Sequence, residues 1–248
     1  MAGDALEYAE PPADARWGLR DMIVAALATL GFMLAGVALA VVAALIWSAF
    51  GLPPLSQAAQ VFLIFGLEAL LIVPAWIWGP RKYGGGWARL GLRPFPALSG
   101  LLWVLGGLIA ILAINAGWET IRQRLGWEAQ PDFLPVFGGG IGGLFLALVL
   151  GGIVAPVAEE VFFRGFLYAG ARNAWGVAWG AIASSVVFAL VHVVPGVLPP
   201  IFVMALVFVL IYERTHSIWP CIILHGTINS LAFIGAYLFE RFPDMMGS

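Results

Sequence analysis

Read as apolar runs interrupted by polar, Pro or Gly clusters, the chain predicts seven helices, at about 22–50, 58–79, 98–118, 141–171, 176–194, 197–212 and 218–239. Runs of about 20 apolar residues or more, long enough to cross a hydrocarbon core of roughly 30 Å, recur along its length. The expected fold is therefore all-α: a polytopic transmembrane helix bundle of about seven spans, six to eight depending on how the gap at 195–200 ("PGVLPP") is read. Only the connections at 80–97 and 119–140 are long, and both hold the Pro, Gly and charges expected outside lipid. The chain divides into a tail (1–21), N-terminal helices and loops (22–140), a helical core (141–239) that carries the polar motifs, and a short end (240–248).

Composition agrees. Hydrophobic residues make up 62% of the 248 and charged residues 10%, against about 25% charged in ordinary soluble domains. The net charge of −2 points to neither nucleic acid nor a polybasic lipid-binding surface. A single cysteine, Cys221, excludes an internal disulfide and any cysteine-based metal cluster. Residues 1–21 are net acidic, and the run behind them far exceeds the roughly 7–15 residues of a signal core, so it reads as a retained first span. With the amino terminus inside, nine Lys and Arg fall on the cytoplasmic side (Arg16, Arg20, Arg81, Lys82, Arg89, Arg93, Arg164, Arg172, Arg214) and three outside (Arg122, Arg124, Arg241). That asymmetry predicts a cytoplasmic N-terminus.

Few polar groups remain inside the spans: Glu68, Glu159, Glu160, Arg164, His192 and His225, with the amides Asn115 and Asn229. A charged side chain at the bilayer centre costs about 2.5–3.5 kcal/mol or more, so such groups face a bundle interior and have partners. Glu160 and Arg164 are four apart with the acid first, the favoured order for a helical ion pair. Glu159, about 100° around the helix, needs a proton, another helix or a wet cavity. In "FALVH" Phe188 and His192 are four apart; in "HGTIN" so are His225 and Asn229. If helices four and five form a hairpin turning near 173–176, Glu159 and His192 lie at the same height, roughly 25 Å from the turn. Glu68, in "FGLEALL", fits a bundle hydrogen bond and a cavity-lining role equally well.

A carboxylate beside an imidazole can hold and deprotonate water, and an imidazole with a carboxamide can face a developing oxyanion. Ser184, Ser185 and Ser230 lack a G-x-S-x-G turn, and "GGGIGG" at 138–143 lacks the Lys-Ser/Thr end of a phosphate loop. Glu159, His192 and His225 would equally make a two-His, one-carboxylate zinc set, although H-E-x-x-H is absent. A noncatalytic scaffold, in which these residues only knit helices together, uses the same contacts, and a transporter is a weaker alternative.

"EEVFFR", "FALVH" and "HGTIN", in this order, resemble the motifs of the CPBP family, the CAAX protease and bacteriocin-processing (Abi) intramembrane proteases that include the type II CAAX prenyl endopeptidases. The resemblance spans about Val154 to Ser230. It implies an endopeptidase acting on a membrane-associated peptide or protein, in which Glu159, assisted by His192, activates water. His225 and Asn229 would stabilise the oxyanion, and Glu160, Arg164 and Phe188 would support the site. It favours metal-free chemistry over a metalloprotease holding zinc on Glu159, His192 and His225, and it leaves a bacteriocin-immunity protein as the noncatalytic alternative.

Overall fold

A computed structural model describes residues 15–53, 56–129 and 132–242, and all regular structure among them is helical. Helices α1 (Leu19–Ala49), α2 (Gln57–Arg81) and α3 (Ala97–Leu125) come first. The stretch that follows, Gly140–Leu190, would be about 75 Å long if straight. It is instead folded in two at Gly176 (φ 79°, ψ 173°), a conformation open to glycine and strained for residues with a side chain. The Phe163 and Phe188 rings consequently meet edge to face with centroids 4.9 Å apart. We label the two limbs α4 (140–175) and α5 (177–190); α6 (Leu198–Thr215) and α7 (Trp219–Arg241) complete the bundle. Among the described residues six helical stretches are long and apolar enough to cross a membrane, and the folded one makes seven rods.

Two helix ends differ from the sequence reading. α3 continues past the expected 118 to Leu125, because Glu119 pairs with Arg122 (2.6 Å) and bonds Gln123 (2.7 Å), sustaining a helix whose surface has turned polar. α5 stops at Leu190 rather than 194. Pro195 pushes Val194 into extended backbone (φ −87°, ψ 111°), and Val193 before it has φ 53°. His192 thus stands in a turn just beyond α5, not on the helix. Trp118 on α3 covers this irregular stretch by donating its indole N–H to Gly196 O (2.7 Å). Residues 1–14 and 243–248 of the two expected tails lie outside the described residues; Trp17, the part of the first tail that packs, is fully buried.

The basic segments gather at one end of the bundle. Lys82 meets Asp21 at 2.5 Å and Tyr83 donates to the same carboxylate. Trp17 donates to Phe166 O (2.8 Å), Ile218 N–H to Gly91 O (2.9 Å), and Arg172 pairs with Glu213 (3.1 Å). Segments around 17–21, 82–93, 172 and 213–218 therefore share one end of the bundle.

Burial distinguishes the centre from the periphery. Half of the most apolar windows of Gly140–Leu190 and Pro195–Thr215 is buried, against 6% for α1, whose buried residues are only Asp21, Met22 and Ala25. α4 and α6 are the core, and α1 is a lipid-facing helix held at its first turns. Without a hydrophobic drive between helices in lipid, close contact and buried polar pairs hold such a bundle together. Both are concentrated on the inner faces of α4 and α7.

Candidate active site

Local chemistry in α4 prepares the site. Pro156 has no N–H to give the preceding turn, and a π-helical turn at Leu150–Val154 lies just before it. Gly151 O, left without a helical donor, accepts from Asn229 Nδ2 on α7 (2.9 Å). A second π-helical segment, Val161–Tyr168, follows the acidic doublet. Such bulges often mark functional positions because they re-aim side chains. Small residues let α7 approach: a Cβ on Gly226 would stand 2.4 Å from the carbonyl oxygen of Gly152. Gly226→Ala must push α7 off α4, costing about 1–3 kcal/mol and separating Glu159 from His225. Thermal melting of the purified variant, read beside its activity, measures both effects.

Glu160 is fully buried and anchors the polar cluster. Its Oε1 accepts from Arg164 NH1 (2.9 Å) and stands 2.9 Å from His225 Nδ1. With Glu160 a carboxylate paired to Arg164, Nδ1 carries the proton and the lone pair of neutral His225 lies on Nε2. The Arg164 guanidinium, 2% exposed, lies between the rings of Phe188 (4.2 Å) and Phe208 (4.8 Å). Phe188 thus supports the site through a cation–π contact.

Glu159 reaches the other side of the same imidazole. Its Oε2 is 3.9 Å from His225 Nε2, too far for a hydrogen bond, and that buried oxygen receives no N–H or hydroxyl donor. The two carboxylates diverge around the helix, as the sequence implies, yet converge on opposite nitrogens of one ring. Exposure separates them: the side chain of Glu159 is 15% exposed and that of Glu160 0%.

His192 donates from Nδ1 to Phe188 O (2.8 Å), since a carbonyl can only accept. That bond fixes the neutral ring with its lone pair on Nε2. Its ring lies 5.0 Å from that of Phe188, which is in turn 6.0 Å from His225. Phe188 therefore neighbours both imidazoles.

Glu68 also belongs here. α2 packs on α4 along 155–160, which brings Glu68 near Glu159. Pro74, whose ring clashes with the carbonyl four residues back, breaks α2 at Leu70–Leu71, directly beyond Glu68. In sequence the only signal for this residue is its rarity as an acid in an apolar run.

Zinc would call on Glu159, His192 and His225. Among the described residues no three His, Cys, Asp or Glu side chains form a group able to hold a metal ion. No step below passes through a metal.

Residues 141–231 match the family model described as type II CAAX prenyl endopeptidase Rce1-like. The matched stretch runs from the start of α4 to just past Asn229 on α7 and contains all three motifs. No curated protein and no solved structure matches the chain.

Proposed function

We propose, on the premise that residues 141–231 are an Rce1-like domain of the CPBP type, that this integral membrane protein is an endopeptidase cleaving a membrane-associated peptide or protein with a water activated by Glu159. The observation that supports this most is the approach of Glu159 Oε2 to 3.9 Å from His225 Nε2, with the far nitrogen of that imidazole held by Glu160. A carboxylate held beside an imidazole in the same cluster is suited to take a proton from water.

In this reading a water hydrogen-bonded to Glu159 gives up a proton to the carboxylate as its oxygen bonds to the scissile carbonyl carbon. The C=O electrons move onto oxygen, making a tetrahedral oxyanion. The second N–H of Asn229, whose first is engaged by Gly151, donates to that oxyanion, and His225 joins it from Nε2 after taking a second ring proton from solvent, which it returns to solvent when the oxyanion collapses. The oxyanion then re-forms its C=O, the C–N bond breaks, and the proton taken by Glu159 passes to the departing amine. Each proton and electron pair is accounted for. The free Nε2 of His192 can accept and return a proton to the water or the leaving group.

The charge asymmetry supports a cytoplasmic amino terminus, with the gathered basic end facing the cytoplasm. The test is cleavage of a lipidated or hydrophobic peptide by purified wild type, His192→Ala and His225→Ala, each with and without a strong chelator. Loss of activity in both variants, with wild type unaffected by the chelator, supports the scheme. Wild-type rates in both variants overturn it, and abolition by chelator moves the mechanism to a metal.

A noncatalytic scaffold, such as an immunity protein, is the second reading. The bonds from α7 to α4 through Asn229–Gly151 and His225–Glu160 would serve it equally well. It requires the nearly isosteric Glu159→Gln to leave the cellular phenotype unchanged.

A further inference from the structure

We propose that Arg93 and His216, with Arg89 beside them, form a phosphate-binding site at the basic end of the bundle, and that the phosphate is the head group of an anionic membrane lipid. The site is separate from the peptidase reading and uses none of its residues.

Two connections build it. Between α2 and α3, Trp87–Leu90 forms a short 3₁₀ turn ended by Gly91 in the left-handed region (φ 80°). A Cβ on Gly91 would stand 2.8 Å from Ile218 and 2.9 Å from the Tyr212 ring, so glycine lets this segment lie directly on the α6–α7 turn. Two bonds hold it there: Ile218 N–H donates to Gly91 O (2.9 Å), and the Ser217 hydroxyl donates to Arg93 O (2.7 Å). His216, next to Ser217, ends α6 with φ 52° and donates its own N–H to Tyr212 O (2.7 Å). Arg93 and His216 therefore stand on adjoining backbones.

Charge at this end is unbalanced. Asp21 is engaged by Lys82 and Tyr83, and Glu213 by Arg172 (3.1 Å) and the Tyr168 hydroxyl (2.9 Å). Arg214 lies over the Trp103 ring (5.4 Å). Among the described residues no acid forms an ion pair with Arg89 or Arg93. Arg93 Nε, His216 Nδ1 and Arg89 Nη1 are each buried, and none has a hydrogen-bond partner among those residues. Buried polar atoms ordinarily have one, and a guanidinium withdrawn from water needs a counter-charge. A phosphate supplies both. Its oxygens accept from the guanidinium forks and from an imidazole protonated at Nδ1.

Depth selects the source of the phosphate. α2 ends at Arg81, α3 begins at Ala97, α6 ends at Thr215 and α7 begins at Trp219, so the site lies level with the ends of four spans. Trp87 and Trp219 are exposed there, at 45% and 41%, as indoles at the head-group level are. Basic pockets between helix ends at that depth suit anionic head groups.

The purified full-length protein in neutral detergent is titrated with short-chain phosphatidylglycerol, with phosphatidylcholine of the same chains, and with inorganic phosphate. Native mass spectrometry and the shift in melting temperature read binding without any turnover. Wild type is expected to bind phosphatidylglycerol about 10-fold more tightly than phosphatidylcholine and to lose affinity as salt rises. Arg93→Gln is expected to weaken binding about 10-fold, the size of one charge-assisted hydrogen bond. His216→Asn, which tolerates the same backbone, is expected to weaken it a few-fold, and Arg89→Gln combined with Arg93→Gln to erase the preference. Arg81→Gln, at an exposed arginine of the same end, controls for general attraction and is expected to change little. Equal affinity of wild type for the two lipids overturns the site, as does a loss in Arg81→Gln matching that in Arg93→Gln. Should Arg93→Gln not fold, undiminished binding by His216→Asn overturns it. A melting shift with inorganic phosphate as large as with the lipid overturns the lipid as the source.

Discussion

Under the proposed function, Glu159→Gln is expected to fold and bind peptide like its parent but to hydrolyse it about 10²- to 10⁴-fold more slowly, the range supplied by a positioned general base. The substitution keeps the shape of the side chain and removes only the ability to accept a proton, so the loss falls on kcat and not on KM. It also leaves the Glu160–Arg164–His225 bonds intact, and these tie α4 to α7. Single-turnover cleavage of a membrane-anchored peptide, beside a melting curve of the same preparation, separates chemistry from folding. A Glu159→Gln rate within a few-fold of wild type places the base elsewhere.

The second large effect is structural. Arg164→Ala lowers stability by about 3–5 kcal/mol, because it leaves Glu160, fully buried, without its counter-charge. The two aromatic faces that enclose the guanidinium also lose their cation. A double variant, Glu160→Gln with Arg164→Met, recovers most of the loss, since a buried ion pair often replaces well with neutral groups of similar volume. Denaturant titration in one detergent measures both. If the double variant is as unstable as Arg164→Ala, the cost lies in packing and not in the stranded charge.

The sequence made the bundle legible because a membrane imposes a strong length and polarity constraint on every span. The α4–α5 hairpin was readable in register as well as existence. The ring contact of Phe163 with Phe188 fits the expected hairpin register, although His192 itself stands in the turn beyond α5. Helix ends were less legible where one or two residues decide them: Pro195 ends α5 early, and Glu119 with Arg122 prolongs α3. The Glu160–Arg164 pair follows from spacing alone. The meeting of Glu159 and Glu160 on one imidazole does not, since it depends on where α7 crosses α4, and that is set by Gly152 and Gly226. Glu68 was least legible: it comes near Glu159 across 91 positions of chain, through the seating of α2 on α4 beside a proline break.

The π-helical turns on either side of the doublet have a consequence for chain length. Each is a local change of phase, so Gly151, Glu159, Glu160 and Arg164 keep their aims only while the number of residues between them stays fixed. An inserted or missing residue there rotates everything beyond it by roughly a quarter-turn and sends the acids toward lipid. The same change in the outer part of α1, which few neighbours touch, rearranges only greasy surface. Related chains should therefore vary freely in length at the rim while holding this central stretch to a constant count.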